Sequence, residues 1–113
     1  MRNNSLYLMD IKNAAEAIID FTKEITFDEF KNDDKTLSAV IRKLEIIGEA
    51  SKNLDPEITA SHPDIPWSSM ARMRDRLIHG YFGIDTDVIW KTIQSDIPEI
   101  LPLIIGLYST YKD

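Results

Sequence analysis

The chain has 113 residues, a net charge of -6 at neutral pH, 43% hydrophobic and 28% charged residues, and no cysteine. That length holds one modest core, so a single domain over residues 1–113 is expected. The missing thiols exclude disulfides and thiolate metal sites, and the acidic balance argues against broad, non-specific nucleic-acid binding. Residues 1–5 lack an apolar signal region, and no apolar run approaches the roughly 20 residues that span a bilayer, so a cytoplasmic protein is expected.

The pattern is helical from end to end, with four glycines and no two-residue alternation. Ser5 can cap a first helix over residues 5–25. Leu8, Ile11, Ala15, Ile18, Phe21 and Ile25 recur there at steps of three and four, which gives one apolar side. Thr26 and Glu29 have capping-box spacing and predict a short turn carrying Phe27 and Phe30. Asp33 or Asp34 can cap the next helix, to about Lys52, with an apolar stripe of Leu37, Val40, Ile41, Leu44, Ile47 and Ala50. The helices from Ser5 and Asp34 are expected to pair antiparallel. Asp55 and Pro56 open another short turn. His62-Pro63 and Ile65-Pro66 mark a loop, because a residue before proline avoids the helical region. A helix is predicted over residues 67–78, ended by Gly80 or Gly83. Asp85 can cap a helix through Trp90 and Ile93. Pro98 suits a fresh helix start, while Pro102 predicts a kink or a later start. Leu103, Ile104, Leu107, Tyr108 and Tyr111 continue the apolar pattern.

The chemistry concentrates in residues 70–82, MARMRDRLIHGYF. Arg72, Arg74 and Arg76 with Asp75 carry +2, which leaves -8 on the rest of the chain. An anion would bind here. Arginine stabilises phosphoryl charge bidentately, and histidine moves protons near neutral pH. Together Arg74 and His79 suffice for phosphodiester chemistry without a metal. In a straight helix the two side chains lie about 140° apart, so they converge only if the helix ends or distorts near Ile78, or if two copies meet. Arg72 lies about 20° from His79 and Asp75 about 40°, which lets Asp75 orient the imidazole. The plain alternative is a solvated helix face. His62 reads as a loop residue. Glu49, after Gly48, either faces solvent or lines a cleft. Trp67 and Trp90 read as core anchors rather than base-stacking platforms. No spacing of histidines and carboxylates makes a metal set, and no cofactor motif is present.

Arg74, four residues, His79, one residue, Tyr81: this pattern resembles the HEPN superfamily, and more closely its HepT-like branch, whose mark is Arg-x4-His-x-Tyr. The likeness extends to Ile46-Ile47-Gly48-Glu49-Ala50, Ile65-Pro66-Trp67, the stretch from Met73 through His79, and Val88-Ile89-Trp90. Carried by these four ordered blocks, the likeness covers most of the chain. One departure stands out. Many members carry Asn after the motif arginine, where this chain has Asp75, which could pair with an arginine or weaken the grip on RNA.

The resemblance implies an all-α, HEPN-like bundle of about five helices, up-down, dimeric, with a cleft shared between subunits. It also implies an endoribonuclease acting without a metal as the toxin of a toxin–antitoxin pair. Arg74 and His79 would be catalytic, and Arg72, Arg76 and Asp75 would contact RNA. The implied partner is a small, MNT-type nucleotidyltransferase antitoxin that adds AMP to the motif tyrosine, which matches Tyr81. From a different class comes a non-catalytic subunit that grips nucleotide, or holds the nucleotidyltransferase, without cleavage.

Overall fold

The computed structural model describes residues 3–79 and 85–112, and among these every regular element is helical. Four long helices form the bundle: α1 (Asn4–Thr22), α3 (Asp34–Asn53), α5 (Trp67–Ile78) and α7 (Ile97–Tyr111). Shorter helices fill the connections: α2 (Phe27–Lys31), α4 (Pro56–Ser61) and α6 (Thr86–Lys91). A π-helical turn over residues 92–96 joins α6 to α7. No helix among the described residues is long and apolar enough to cross a membrane.

The caps follow local chemistry. Thr26 and Glu29 form the reciprocal capping box that starts α2. Asp33 accepts from the Thr36 amide to start α3, and Asp85 accepts from the Asp87 amide to start α6. Asp55 takes the cap position of α4 with Pro56 behind it, but its side chain is spent elsewhere. Its carboxylate accepts from Asn4 Nδ2 at 2.8 Å while its own amide donates to Asn4 Oδ1 at 3.1 Å. This clasp ties the start of α1 to the end of α3, so the two run antiparallel as expected.

Helix α1 departs from the sequence reading at both ends. Asn3, not Ser5, is the cap, and Ser5 donates both its amide and its hydroxyl to Asn3 Oδ1. The helix stops at Thr22 rather than Ile25, because the chain must turn to present Thr26 for the next cap. Thr22 is buried and Phe21 is 39% exposed, so the inward stripe steps from Ile18 to position 22 and Phe21 falls just outside it.

One core cluster joins the elements. Leu8, Ile11 and Ile18 of α1 meet Val40, Leu44 and Ile47 of α3 and Ile100, Ile104 and Leu107 of α7. Phe30 is fully buried, with its ring 5.1 Å from that of Trp90. The indole of Trp67 is buried and donates to the His62 carbonyl at 3.0 Å, which fixes the loop that launches α5. Helix α7 starts at Ile97 and contains Pro102, so the later start that Pro102 allowed is not taken. A departure from α-helical bonding lies upstream: the Ile97 amide reaches the Thr92 carbonyl, five residues back, just before Pro98, which has no amide hydrogen to donate.

Helices α3 and α5 cross at Gly48. A Cβ on Gly48 would overlap the Cβ of Arg74 and lie 2.7 Å from the Met70 carbonyl oxygen. Both obstacles are at or next to the α5 backbone and cannot swing aside. Gly48→Ala should therefore lower the thermal unfolding midpoint, since about 1–3 kcal/mol of overpacking outweighs about 1 kcal/mol of helix propensity. Gly106→Ala makes the contrast: an added Cβ meets nothing within 4 Å, so propensity alone acts and the midpoint should rise. Calorimetry on the two variants checks both signs.

Candidate active site

Helix α5 presents Arg74 inward, against α3. Its side chain is 24% exposed and pressed between two carboxylates. Nη2 lies 2.7 Å from Glu49 Oε2, and Nη1 lies 3.0 Å from Asp75 Oδ1. Nε is shut away from solvent and donates to nothing among the described residues. An unmet buried donor costs about 1–3 kcal/mol, so the rest of the arrangement must hold the arginine there.

Each carboxylate is itself braced. Asp75 Oδ1 also takes Lys52 Nζ at 3.3 Å. Asn53 Nδ2 donates to Glu49 Oε1 at 3.1 Å and to the Glu49 carbonyl at 2.8 Å. The line Asn53, Glu49, Arg74, Asp75, Lys52 thus alternates acceptors and donors across the α3–α5 seam. The Arg74 guanidinium beside Asp75 holds its carboxyl below the usual carboxylate range, and Lys52 adds to the effect.

Arg74 and Glu49 line a groove of about 240 Å³, together with Tyr7 and Asp10 of α1, Arg42, Glu45, Ile46 and Ala50 of α3, and Ile78 of α5. Helix α5 ends at Ile78, and His79 follows as its C-cap residue, exposed, with its amide donating to the Asp75 carbonyl at 3.1 Å. Arg74 turned in and His79 out at the helix end match the wide angular separation in the sequence. Asp75 does not hold the imidazole: Arg74 and Lys52 engage its carboxylate instead, the arginine pairing being the one its sequence position suggested. Arg72 and Arg76 are exposed, and the hydroxyl of Ser69 lies 3.5 Å from Arg72 Nη2. Tyr81 and Gly80 lie outside the described residues. Glu49 meets both expectations: its side chain is 52% exposed and it lines the groove. Lys52 and Asn53, which complete the line, carry no mark in the sequence beyond lying one helical turn past Gly48 and Glu49.

The protein is of the all-α class, a helical bundle with an arginine clamped at a helix crossing and a histidine at the end of the same helix. The particular family follows from the comparisons. The family model Ribonuclease HepT-like matches residues 11–105, and the chain belongs to that family. The chain is 57% identical over 99 residues to a Thermococcus cleftensis protein named "Probable ribonuclease HepT", covering 88% of this chain and 90% of that one. It is 51% identical over 92 residues to a Methanocaldococcus jannaschii protein named "Putative RNase", covering 81% and 76%. A "Putative RNase" of Caldanaerobacter subterraneus is 44% identical over 100 residues, covering 88% and 89%. No solved structure matches.

The Asp75 pairing has a pH signature. A carboxyl held below its unfolded value stabilises the fold above that unfolded value, and loses the contribution as pH falls through the folded value. Asp75→Asn should therefore flatten part of the acid limb of the stability curve. In a carboxyl NMR titration, the Asp75 midpoint should lie below the ordinary range. It should move up in Lys52→Ala and further in Arg74→Ala, since the arginine is the larger cause.

Proposed function

We propose that this protein is a ribonuclease that cuts RNA without a metal, with Arg74 and His79 as its catalytic pair. The observation that carries the reading is Arg74 held at the α3–α5 crossing on the wall of a groove, with His79 exposed at the end of the same helix. Membership of the Ribonuclease HepT-like family supports it. In the reaction the ribose 2′-oxygen attacks phosphorus and the bond to the 5′-oxygen breaks. His79 takes the 2′ proton or supplies one to the leaving oxygen. Arg74 holds the phosphoryl charge as it builds. The product is a 2′,3′-cyclic phosphate, because the internal hydroxyl is the nearest nucleophile.

The working form on this reading is a homodimer. Two copies of α5 brought end to side place the arginine of one against the histidine of the other, and Ile78, 47% exposed beside His79, offers an apolar surface for that meeting. Arg72 and Arg76, exposed on the same helix, add positive charge that attracts RNA. The biological setting we propose is a toxin–antitoxin pair in the cytoplasm. A nucleotidyltransferase antitoxin transfers AMP to Tyr81, and the added charge and bulk beside the groove block RNA.

Arg74→Ala and His79→Ala should each abolish cleavage with the fold intact, a loss of about 10²–10⁴ in rate for the proton-transfer residue. Purified protein, RNA and end-group analysis of the products make the test. If His79→Ala cleaves as fast as the wild type, the catalytic assignment falls. RNA binding with no cleavage by the wild type would put in its place a binding subunit that grips nucleotide through the same arginines. Tyr81→Phe should cleave RNA yet escape the antitoxin. An antitoxin that silences it fully, with no AMP found on the wild type by mass spectrometry, sinks the modification.

A further inference from the structure

Arginine binds oxyanions best through two parallel donors. One such edge of Arg74 is formed by Nε and Nη2, and the far nitrogen, Nη1, belongs to the other side of the fork. The two sides are filled differently. Nη1 is held by Asp75, the next residue in the chain, whose carboxylate is pinned by Lys52. On the Nε/Nη2 edge, Glu49 reaches Nη2 alone at 2.7 Å, and Nε is left without an acceptor. Glu49 is the looser partner: its side chain is 52% exposed, it sits on the groove wall, and its other oxygen is tethered to Asn53 on the same helix. The edge that a phosphate would use is thus half filled by a carboxylate that can leave.

We propose that Glu49 is a latch on Arg74: it occupies the phosphate seat in the empty protein, and an RNA phosphate takes its place by offering two oxygens, to Nη2 and to Nε. Asp75 keeps its hold on Nη1 throughout and positions the guanidinium. The exchange trades one charge-assisted bond for two and satisfies the buried donor. Being tethered, Glu49 competes at a high effective concentration. A single small anion therefore loses to it, while a strand that adds a contact to Arg42, on the wall of the same groove, wins. The latch makes the site selective for polymer over free phosphate. The inference rests on the reading of Arg74 as the residue that holds the scissile phosphate.

The test measures binding apart from cleavage, with a short RNA carrying 2′-O-methyl groups throughout and with inorganic phosphate as the second probe. Glu49→Gln removes the charge and keeps the shape at an exposed position, so folding is preserved. It should tighten RNA binding roughly two- to fivefold, the scale of an exposed ion pair, and should bring phosphate binding into reach. In the Arg74→Ala background the same substitution should gain nothing. An equal gain in that background would mean a general loss of negative charge and overturn the latch. Glu49→Gln weakening RNA binding, or leaving it unchanged while Arg74→Ala weakens it, also overturns the latch and leaves Arg74 as the phosphate residue. If Arg74→Ala binds RNA as well as the wild type, the functional reading itself fails.

Discussion

Everything about the site depends on how closely α3 and α5 approach, and that approach exists because residue 48 has no side chain. With the Cβ of Arg74 and the carbonyl of Met70 occupying the space where a Gly48 Cβ would be, the helix backbones nearly touch. The consequence reaches one residue further on. Glu49 is carried to within ion-pair distance of Arg74, and Lys52, one turn later, to within reach of Asp75. The intrinsic cost of glycine within a helix, about 1 kcal/mol, is offset by a seam in which packing and charge pairing coincide.

That seam explains how an acidic protein keeps the arginine we propose as its phosphate holder in order. A chain with net charge -6 repels nucleic acid at long range. The two carboxylates beside Arg74 neutralise it locally while fixing its direction. The side chain gives up its rotational freedom during folding rather than on binding, and an oriented donor set is more effective than a free one of equal charge. On the proposed reading, the exposed Arg72 and Arg76 on α5 are left to supply attraction. Order and attraction are thus assigned to different residues of one short run.

The sequence displayed much of this and concealed the rest for physical reasons. Caps are local chemistry, so Thr26 with Glu29, Asp33 and Asp85 were legible, as were the bounds of α5 between a proline and the motif histidine. The start of α1 was not, because Asn3 and Ser5 are both good caps and only the competition for one hydrogen bond separates them. Phe21 against Thr22 is the same kind of ambiguity: a 3.6-residue period permits steps of three or four, and the partner helix decides. The all-helical class and the antiparallel α1–α3 pair were readable from periodicity. The partners of Arg74 were not, since Glu49 meets it across 25 positions of sequence and only the glycine crossing brings them together. Asp75 could be foreseen as an arginine partner. Its choice of Arg74 and Lys52 over the imidazole depends on where α3 lies.

The π turn before α7 resolves a mismatch of phase. Ile89, Ile93 and Ile97 are all buried although they are spaced by four and four. In an ideal α-helix two such steps rotate the side chain about 80° away from its starting direction. A turn closed five residues back instead of four holds an extra residue and takes up that rotation, so the three isoleucines stay aligned on the core. The segment therefore works as a one-residue insertion absorbed without a loop. A chain with one residue more or fewer between α6 and α7 would keep both helices seated by gaining or losing this wide turn, and the groove, which is walled by α1, α3 and α5, would not move.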